Sequence, residues 1–365
     1  MYSTYERKNI YKSADENTLK AIFDYSEGYK RFLDNGKTER ETVEYTVEML
    51  KKAGYKEYKL GDKINPHDKL YFNNRGKALF IVKAGSAEKI KEGVRILVAH
   101  VDSPRLDLKQ VPLYEKSELA FLKTHYYGGI KKYQWLTIPL ALHGVVVKAD
   151  GTKINIKIGE KDTDPVFYIT DLLPHLSQEQ VKKTIGEGFD AENMNLVVGG
   201  LSLSGEDKDA VKKNVLSILM KEYGMSEEDF LSAELEVVPA LKARDVGFDR
   251  AFVAGYGHDD RVCAYPEITA TLDTATDRTV MTILADKEEI GSVGATGMHG
   301  KYFENAVAEL VNATGEYSDL LVRRALTACR MLSCDVSAGY DPNFAGVFER
   351  KNAAYLGRGV CFNKY

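Results

Sequence analysis

Residues 95–104 read RILVAHVDSP, and this segment decides the fold. After Arg95, the four apolar residues 96–99 form a run of the kind found in strands buried within a parallel sheet, and we expect a strand over 95–99. His100 and Asp102 follow at once. Because ligands of open α/β sheets bind outside the carboxyl ends of the strands, both side chains lie where chemistry is expected. The segment therefore predicts an α/β fold with a site at a strand end.

A second segment repeats this arrangement. The apolar run Val280–Leu284 leads directly into Asp286, Glu288 and Glu289. The run predicts another buried strand, and its acids are expected at the carboxyl end of that strand. That position is again one where ligands of open α/β sheets bind.

The remaining apolar patterns predict what surrounds these strands. Apolar residues at three- and four-residue spacing over 17–53 predict two helices, with a break near Asn35-Gly36. Short strands are predicted at Lys69–Phe72 and Ala78–Val82, and an amphipathic helix at Leu320–Met331. The prediction is a mixed sheet flanked by helices.

The middle of the chain has a different character. Strand-like stretches occur at Gly144–Val147 and Lys153–Ile158, followed by a helical stretch over 208–223. We interpret residues 107–240 as an inserted, β-rich second domain. The insertion would divide the first domain into residues 1–106 and 241–365.

Composition excludes several classes of partner. The 365 residues carry 50 basic and 54 acidic side chains, a net charge of -4, which gives no electrostatic reason to expect nucleic acid or an anionic membrane. The polar N-terminus has no apolar signal region, and no run approaches the ~20 apolar residues that span a bilayer. The four cysteines have no disulfide or CxxC spacing, which predicts a cytoplasmic protein without a thiolate zinc site.

Four distant segments together indicate a two-metal hydrolase. They contain His100, Asp259, the pair Glu288-Glu289, and Asp335. Each segment alone is commonplace, since histidines at strand ends, paired glutamates in loops and paired aspartates at helix caps are usually structural. A co-catalytic metal pair, however, needs a bridging carboxylate, terminal ligands and a free carboxylate that accepts a proton from water. The combined set meets those needs.

Neighbouring acids can divide these roles. Glu288 and Glu289 at a strand end would point in different directions, so that one binds metal while the other acts as a base. Asp102 can hold the His100 imidazole in one tautomer. Asp259 and Asp260 would repel each other, and we expect Arg261 to offset part of that charge and metal ions the rest.

These residues resemble a known family, the aspartyl aminopeptidases, which are dinuclear zinc exopeptidases. The resemblance runs from the N-terminal helices to the end of the chain. Its most specific motifs are His-Val-Asp-Ser-Pro at 100–104, Asp-Lys-Glu-Glu-Ile-Gly-Ser at 286–292, and Cys-Asp-Val at 334–336 followed by Asp-Pro-Asn-Phe at 341–344.

The resemblance implies a role for each site residue. His100, Asp259 and Asp335 would hold one zinc ion, and Asp259 and Glu289 the other, with Asp259 as the bridge. Glu288 would be the general base. Cobalt or manganese would fit the same ligands.

The resemblance also implies an assembly. The insertion is similar to the dimerisation domain of the family, whose members build a tetrahedral dodecamer. His175, in the segment Asp171–Leu176, matches a histidine that reaches the active site of a neighbouring subunit and steadies the oxyanion. A surface or helix-capping histidine is the alternative for this residue.

Two further expectations concern the end of the chain. Relatives continue past the position of Tyr365 and carry there the last histidine ligand of the second zinc ion, so the sequence resembles a truncated member with a weakened second site. The family cleaves peptides with an N-terminal Asp or Glu, and Lys364 or Arg358 would supply the cation for that side chain.

Two other functions remain open. One is a related two-metal exopeptidase or deacylase with another specificity, which would differ only in its substrate pocket. The other is a non-catalytic assembly subunit with vestigial metal residues. Glu288 argues against the second alternative, because a structural metal site needs ligands but no free base.

Overall fold

The computed structural model describes residues 5–90, 92–275 and 277–364. The strands are β1 (Lys56–Glu57), β2 (Lys69–Asn74), β3 (Ala78–Lys83), β4 (Arg95–His100), β5 (Arg105–Lys116), β6 (Leu119–Tyr127), β7 (Leu140–Val147), β8 (Lys153–Ile158), β9 (Leu196–Gly199), β10 (Glu234–Pro239), β11 (Arg244–Val246), β12 (Phe252–Ala254), β13 (Val280–Ala285) and β14 (Arg330–Ser333). The α-helices are α1 (Glu16–Asn35), α2 (Glu39–Lys52), α3 (Ala87–Ile90), α4 (Ile185–Gly188), α5 (Ala210–Tyr223), α6 (His258–Asp273), α7 (Tyr302–Asn312) and α8 (Asp319–Ala328).

Short 3-10 helices connect these elements. They lie at Ile10–Lys12, Lys132–Trp135, Ala191–Asn193, Glu228–Ser232, Glu288–Ile290 and Pro342–Val347. Within the described ranges, no helix is both long and apolar enough to cross a bilayer.

The first sheet brings three strand ends to one edge. Its strand order is β1-β2-β3-β13-β4-β14, and β4 runs parallel to both neighbours, β13 and β14. Ala285 of β13 pairs with His100, and Ser333 of β14 pairs with Val98. Because the carboxyl ends of the three strands are level, the residues that follow them meet.

Helices cover both faces of this sheet. Leu79 and Ile81 pack with residues of α1, α2 and α6, whereas Phe80 and Val82 pack with residues of α7 and α8. This two-residue alternation is the geometry of a pleated strand buried on both sides. The predicted break between the first two helices is confirmed: α1 ends at Asn35, and Thr38 and Glu41 form a capping box that begins α2.

The second sheet is entirely antiparallel, in the order β8-β7-β10-β5-β6-β9, with its own apolar core and helix α5 packed against it. Its strands run from Arg105 to Pro239 in the sequence. The predicted fold class, an α/β mixed sheet flanked by helices with a further β-rich part, is confirmed. The boundaries 1–106, 107–240 and 241–365 stay predictions, and residues 1–4 and 365 lie outside the described ranges.

One predicted helix was too long. The helix expected at Leu320–Met331 ends at Ala328, and Arg330 and Met331 belong to β14 instead. The amide of Arg330 donates to the carbonyl oxygen of Val94, which starts the pairing with β4. The side chains of β14 are exposed at the sheet edge, so the strand has no buried apolar run to distinguish it from the helix before it.

Candidate active site

The candidate site lies at the shared edge of the three parallel strands. His100 is the last residue of β4, the turn Glu288–Ile290 follows β13, and Asp335 follows β14. The start of α6 adds Asp259 and Asp260, which are joined by a cis peptide bond. The fold thus brings together the residues that the sequence singled out for a metal site.

The imidazole of His100 is the centre of this cluster. Its Nε2 lies 3.0 Å from Oδ1 of Asp259, 3.8 Å from Oε2 of Glu288 and 4.0 Å from Oδ1 of Asp335. On the other side of the ring, Nδ1 lies 2.9 Å from the backbone carbonyl oxygen of Asp102. Because a carbonyl oxygen can only accept, Nδ1 carries a hydrogen and a neutral ring has its lone pair at Nε2.

Two overlapping sets of donor atoms can hold a metal ion. One consists of His100, Asp259 and Glu289, and the other of His100, Asp260 and Asp335; within each set the donor atoms lie within 4.8 Å of one another. Asp260 was not predicted as a ligand. Glu288 belongs to neither set, although it lies beside His100.

The cluster carries a large excess of negative charge. Burial raises the pKa of Asp260 to about 7, and burial together with the charge of Asp259 raises the pKa of Glu289 to about 7. Burial lowers the pKa of His100, but hydrogen bonds to Asp102 and Asp259 outweigh that effect and raise it to about 11. Carboxylates this close ionise together only when cations lie between them.

The donor atoms fit zinc. Both side-chain oxygens of Asp260 and Oε1 of Glu289 are buried and have no hydrogen-bond partner among the described residues. Burying a carboxylate oxygen that accepts no hydrogen bond costs free energy, unless the oxygen is paired with a cation or coordinates a metal. One imidazole nitrogen with several carboxylate oxygens is a donor set that suits zinc.

Asp102 does more than the sequence predicted. It is fully buried, and its Oδ1 lies 3.4 Å from Nδ1 of His100, as expected for an orienting carboxylate. In addition, its two oxygens accept the backbone N–H groups of Glu288 and Glu289, both at 3.2 Å. Tyr127 donates its hydroxyl to Oδ2 at 2.8 Å. The contact of Tyr127 with Asp102 was missed, because no pattern near Tyr127 points to Asp102.

Two local details differ from what the sequence predicted. Glu288 and Glu289 lie in a short 3-10 turn and not in an extended strand end, so it is the turn that directs them apart. Arg261 does not offset the charge of Asp259 and Asp260. Its guanidinium is fully buried and donates to the carbonyl oxygens of Lys37 and Val101, because these buried groups need donors.

The other candidate residues lie outside the cluster. His175 is exposed in the segment between β8 and α4. Arg358 is exposed and stacks on the Tyr355 ring at 4.8 Å, and Lys364 is exposed near the end of the chain. Their predicted roles stay predictions.

Comparisons with known proteins agree with this geometry. The sequence profile described as "Aminopeptidase I zinc metalloprotease (M18)" matches residues 32–365. A probable M18 family aminopeptidase 1 of Clostridium acetobutylicum is 51% identical, over 99% of this chain and 78% of that protein. A crystal structure of an M18 family aminopeptidase from Thermotoga maritima superimposes with a TM-score of 0.91 at 43% identity, over 98% of this chain and 78% of the other.

The crystal structure of aminopeptidase I from Clostridium acetobutylicum is similarly close, with a TM-score of 0.88 at 47% identity over 98% of this chain and 78% of the other. Fold and relatives together define a metallo-aminopeptidase. The chain belongs to the M18 family of zinc metalloproteases.

Proposed function

We propose that the protein is a two-zinc aminopeptidase that releases N-terminal residues, preferably Asp or Glu, from peptides. One observation carries the proposal: six carboxylates surround a single imidazole at the edge of three parallel strands, and two of them, Asp102 and Glu288, lie outside both sets of possible ligands. Asp102 is fully buried, whereas Glu288 is exposed and can reach water. Such a site has ligands for metal and a separate base.

The ligands are assigned as the family resemblance implies. His100, Asp259 and Asp335 would hold one zinc ion, and Asp259 and Glu289 would hold a second. The place of Asp260 in one donor set makes it a further candidate. When bound, the two ions polarise the first peptide carbonyl and make water a stronger acid at neutral pH.

The residues of the chain perform the proton transfers. Glu288 takes a proton from the attacking water and returns it to the leaving amine as the peptide C–N bond breaks. Asp102 holds the His100 ring and, through the amides of Glu288 and Glu289, the turn that carries base and ligand. A half-exposed Glu288 remains accessible to substrate and water, which a base requires.

The proposed substrate preference and the proposed assembly rest on the family resemblance. An acidic first residue calls for a cation, and Arg358 and Lys364 are the candidates. The S. cerevisiae mApe1 structure, which is 21% identical, is described as a dodecamer; by analogy, we propose that this chain forms dimers and then a tetrahedral dodecamer, with His175 in the active site of a neighbour. We also propose a cytoplasmic location, in keeping with four free cysteines.

The test is hydrolysis of Asp-, Glu- and Leu-anilides by the zinc-loaded protein. Pocket charge gives differences of orders of magnitude, so the acidic anilides should be cleaved at least ~100-fold faster than the Leu compound. Faster cleavage of Leu-anilide would refute the acidic preference and favour a related exopeptidase of other specificity. No cleavage of any anilide by protein with its full zinc content would refute the proposed activity.

A further inference from the structure

We propose that Tyr127, on the second sheet, is a positioning residue for the catalytic turn and acts through Asp102. The proposal rests on the proposed function for its effect on turnover. It assigns to the second sheet a task inside the subunit, separate from any role in assembly.

The side chain of Asp102 is surrounded by hydrogen-bonding groups. This carboxylate is fully buried and meets four groups: Nδ1 of His100, the amides of Glu288 and Glu289, and the hydroxyl of Tyr127. Three of the four belong to the metal site. Tyr127 alone approaches from the second sheet, and its bond to Asp102, at 2.8 Å, is the shortest of the set.

Tyr127 is itself held in place by Arg105. It pairs with Arg105 across strands β5 and β6, and the Arg105 guanidinium lies 3.9 Å from the centre of the Tyr127 ring. Arg105 is buried and forms ion pairs with Glu39 at 3.3 Å and Glu236 at 3.1 Å. The phenol is therefore fixed by a buried charged cluster that joins α2 to the second sheet.

Gly128, the residue after Tyr127, lies close to Glu289. A Cβ atom at Gly128 would lie only 3.1 Å from Cβ and Oε2 of Glu289. The backbone after Tyr127 thus runs directly against the side chain of a proposed ligand. Together with the Tyr127 hydroxyl, which acts through Asp102, this close approach ties the end of β6 to the first two residues of the Glu288–Ile290 turn.

Loss of the hydroxyl has a defined consequence. Without it, one oxygen of Asp102 keeps fewer donors, and the carboxylate that fixes the turn and His100 can move. Outer partners of metal ligands typically affect activity 10–100-fold, and we expect an effect of about that size on kcat. Substrate contacts are unchanged, so KM should stay nearly constant.

The experiment compares Tyr127→Phe, Tyr127→Leu and the control Tyr126→Phe. Phe keeps the ring beside Arg105 and removes only the hydroxyl, whereas Leu removes both. Tyr126 is exposed, and its ring stacks on His125 at 5.3 Å. Steady-state kinetics with saturating zinc gives kcat and KM, and amide hydrogen exchange of the metal-free protein reports directly on the N–H groups of residues 288 and 289.

The expected result is that both Tyr127 variants lower kcat about 10–100-fold and speed exchange of the two amides, while Tyr126→Phe changes neither. Wild-type kcat and exchange in Tyr127→Phe, with defects only in Tyr127→Leu, would mean that the ring merely packs, and would overturn the proposal. Should the wild-type protein cleave no anilide, the proposed function fails, and the exchange measurement still decides whether Tyr127 holds the turn.

Discussion

Glu288 and Glu289 are adjacent in sequence but lie in opposite environments. The side chain of Glu288 is 48% exposed, whereas Oε1 of Glu289 is buried without a hydrogen-bond partner among the described residues. The 3-10 turn separates them, and Asp102 fixes the amides of both. An exposed carboxylate suits proton transfer and a buried, unpaired one suits metal binding, which is the division of roles that we propose.

Replacing the proposed base gives the first prediction. Glu288→Gln keeps the size of the side chain but cannot accept a proton, so kcat should fall by about 100-fold or more while the zinc content stays the same. The measurements are anilide hydrolysis and metal analysis of the purified variant. Glu44→Gln, an exposed change on α2, is the matched control and should leave both unchanged.

Retained turnover in Glu288→Gln would exclude this residue as the base. Loss of zinc together with turnover would indicate instead that Glu288 is a ligand. The two failures are distinguishable because metal content is measured independently of activity.

The sequence predicted much of the site at this scale, for a physical reason. His100 ends one apolar strand and Glu289 follows another, and the carboxyl ends of such strands are where ligands of open α/β sheets bind. Asp335 had no such support, because β14, the strand before it, was not predicted. The contact of Tyr127 with Asp102 depends on how the second sheet packs against the first, and no local sequence pattern encodes that packing. Arg261 donates to buried carbonyl groups and not to Asp259 or Asp260. This likewise depends on tertiary packing, which decides which carbonyl groups lack other donors.

At the scale of elements, a buried histidine joins α2 to the second sheet. His143 on β7 is fully buried, with Nδ1 at 2.9 Å from Glu41 and Nε2 at 3.1 Å from Glu160. Lys37 and Lys242 pair with Glu160, and Lys157 pairs with Glu41; Lys37 is the most buried of the three. With a carboxylate at each nitrogen, a protonated imidazole is favoured.

The pH dependence of this junction follows from its pKa shifts. Burial lowers the pKa of His143, but bonds to Glu160 and Glu41 outweigh it and raise the pKa, so the stability that it supplies is full below the unfolded pKa of about 6.5 and is lost as pH rises through the folded value. Burial raises the pKa of Glu160, but His143, Lys242 and Lys37 hold it well below its usual range. Its contribution is present above about pH 4.5 and fades as pH falls further.

The second prediction is therefore a pH-dependent loss of stability in His143→Gln. The free energy of unfolding should fall by about 2 kcal/mol or more near pH 5.5, and by less near pH 9, because the stability that the protonated imidazole supplies declines as pH rises above the unfolded pKa. Urea unfolding of metal-free protein at both pH values measures this. The exposed His125→Gln is the control; an equal deficit at both pH values would contradict the charged pairing.

Element boundaries were predictable where local chemistry marks them. The break at Asn35-Gly36 coincides with the end of α1, and the strand Lys153–Ile158 was predicted with its observed bounds. Strand β5 was missed: its register against β6 shifts between Leu108 and Leu113, which interrupts the alternation that would identify it. Strand β14 was missed because its side chains are exposed, so that pairing with β4 alone defines it.

At the scale of the whole molecule, the segment that carries His175 is unusually apolar for its exposure. Leu172, Leu173 and Leu176 are 51%, 53% and 66% exposed. Neighbouring Val181 and Ile185 are 74% and 71% exposed. Several exposed apolar side chains in one short segment are typical of a protein contact. If His175 serves the active site of a neighbour, this surface is where the two subunits would meet, and catalysis would depend on their association.

A mixing experiment tests that dependence. Glu288→Gln subunits keep His175, and His175→Gln subunits keep the base, so each pure variant should be nearly inactive. In a mixed two-fold dimer, the His175→Gln subunit would have an intact base and receive His175 from its partner, which restores one of two sites. Random exchange of equal amounts makes half of the dimers mixed, so about one quarter of wild-type activity should return. Co-refolding from denaturant followed by the anilide assay measures it, with each variant refolded alone as the control. Activity that stays at the level of the separate variants, in material shown by light scattering to be associated, would mean that His175 does not act across subunits.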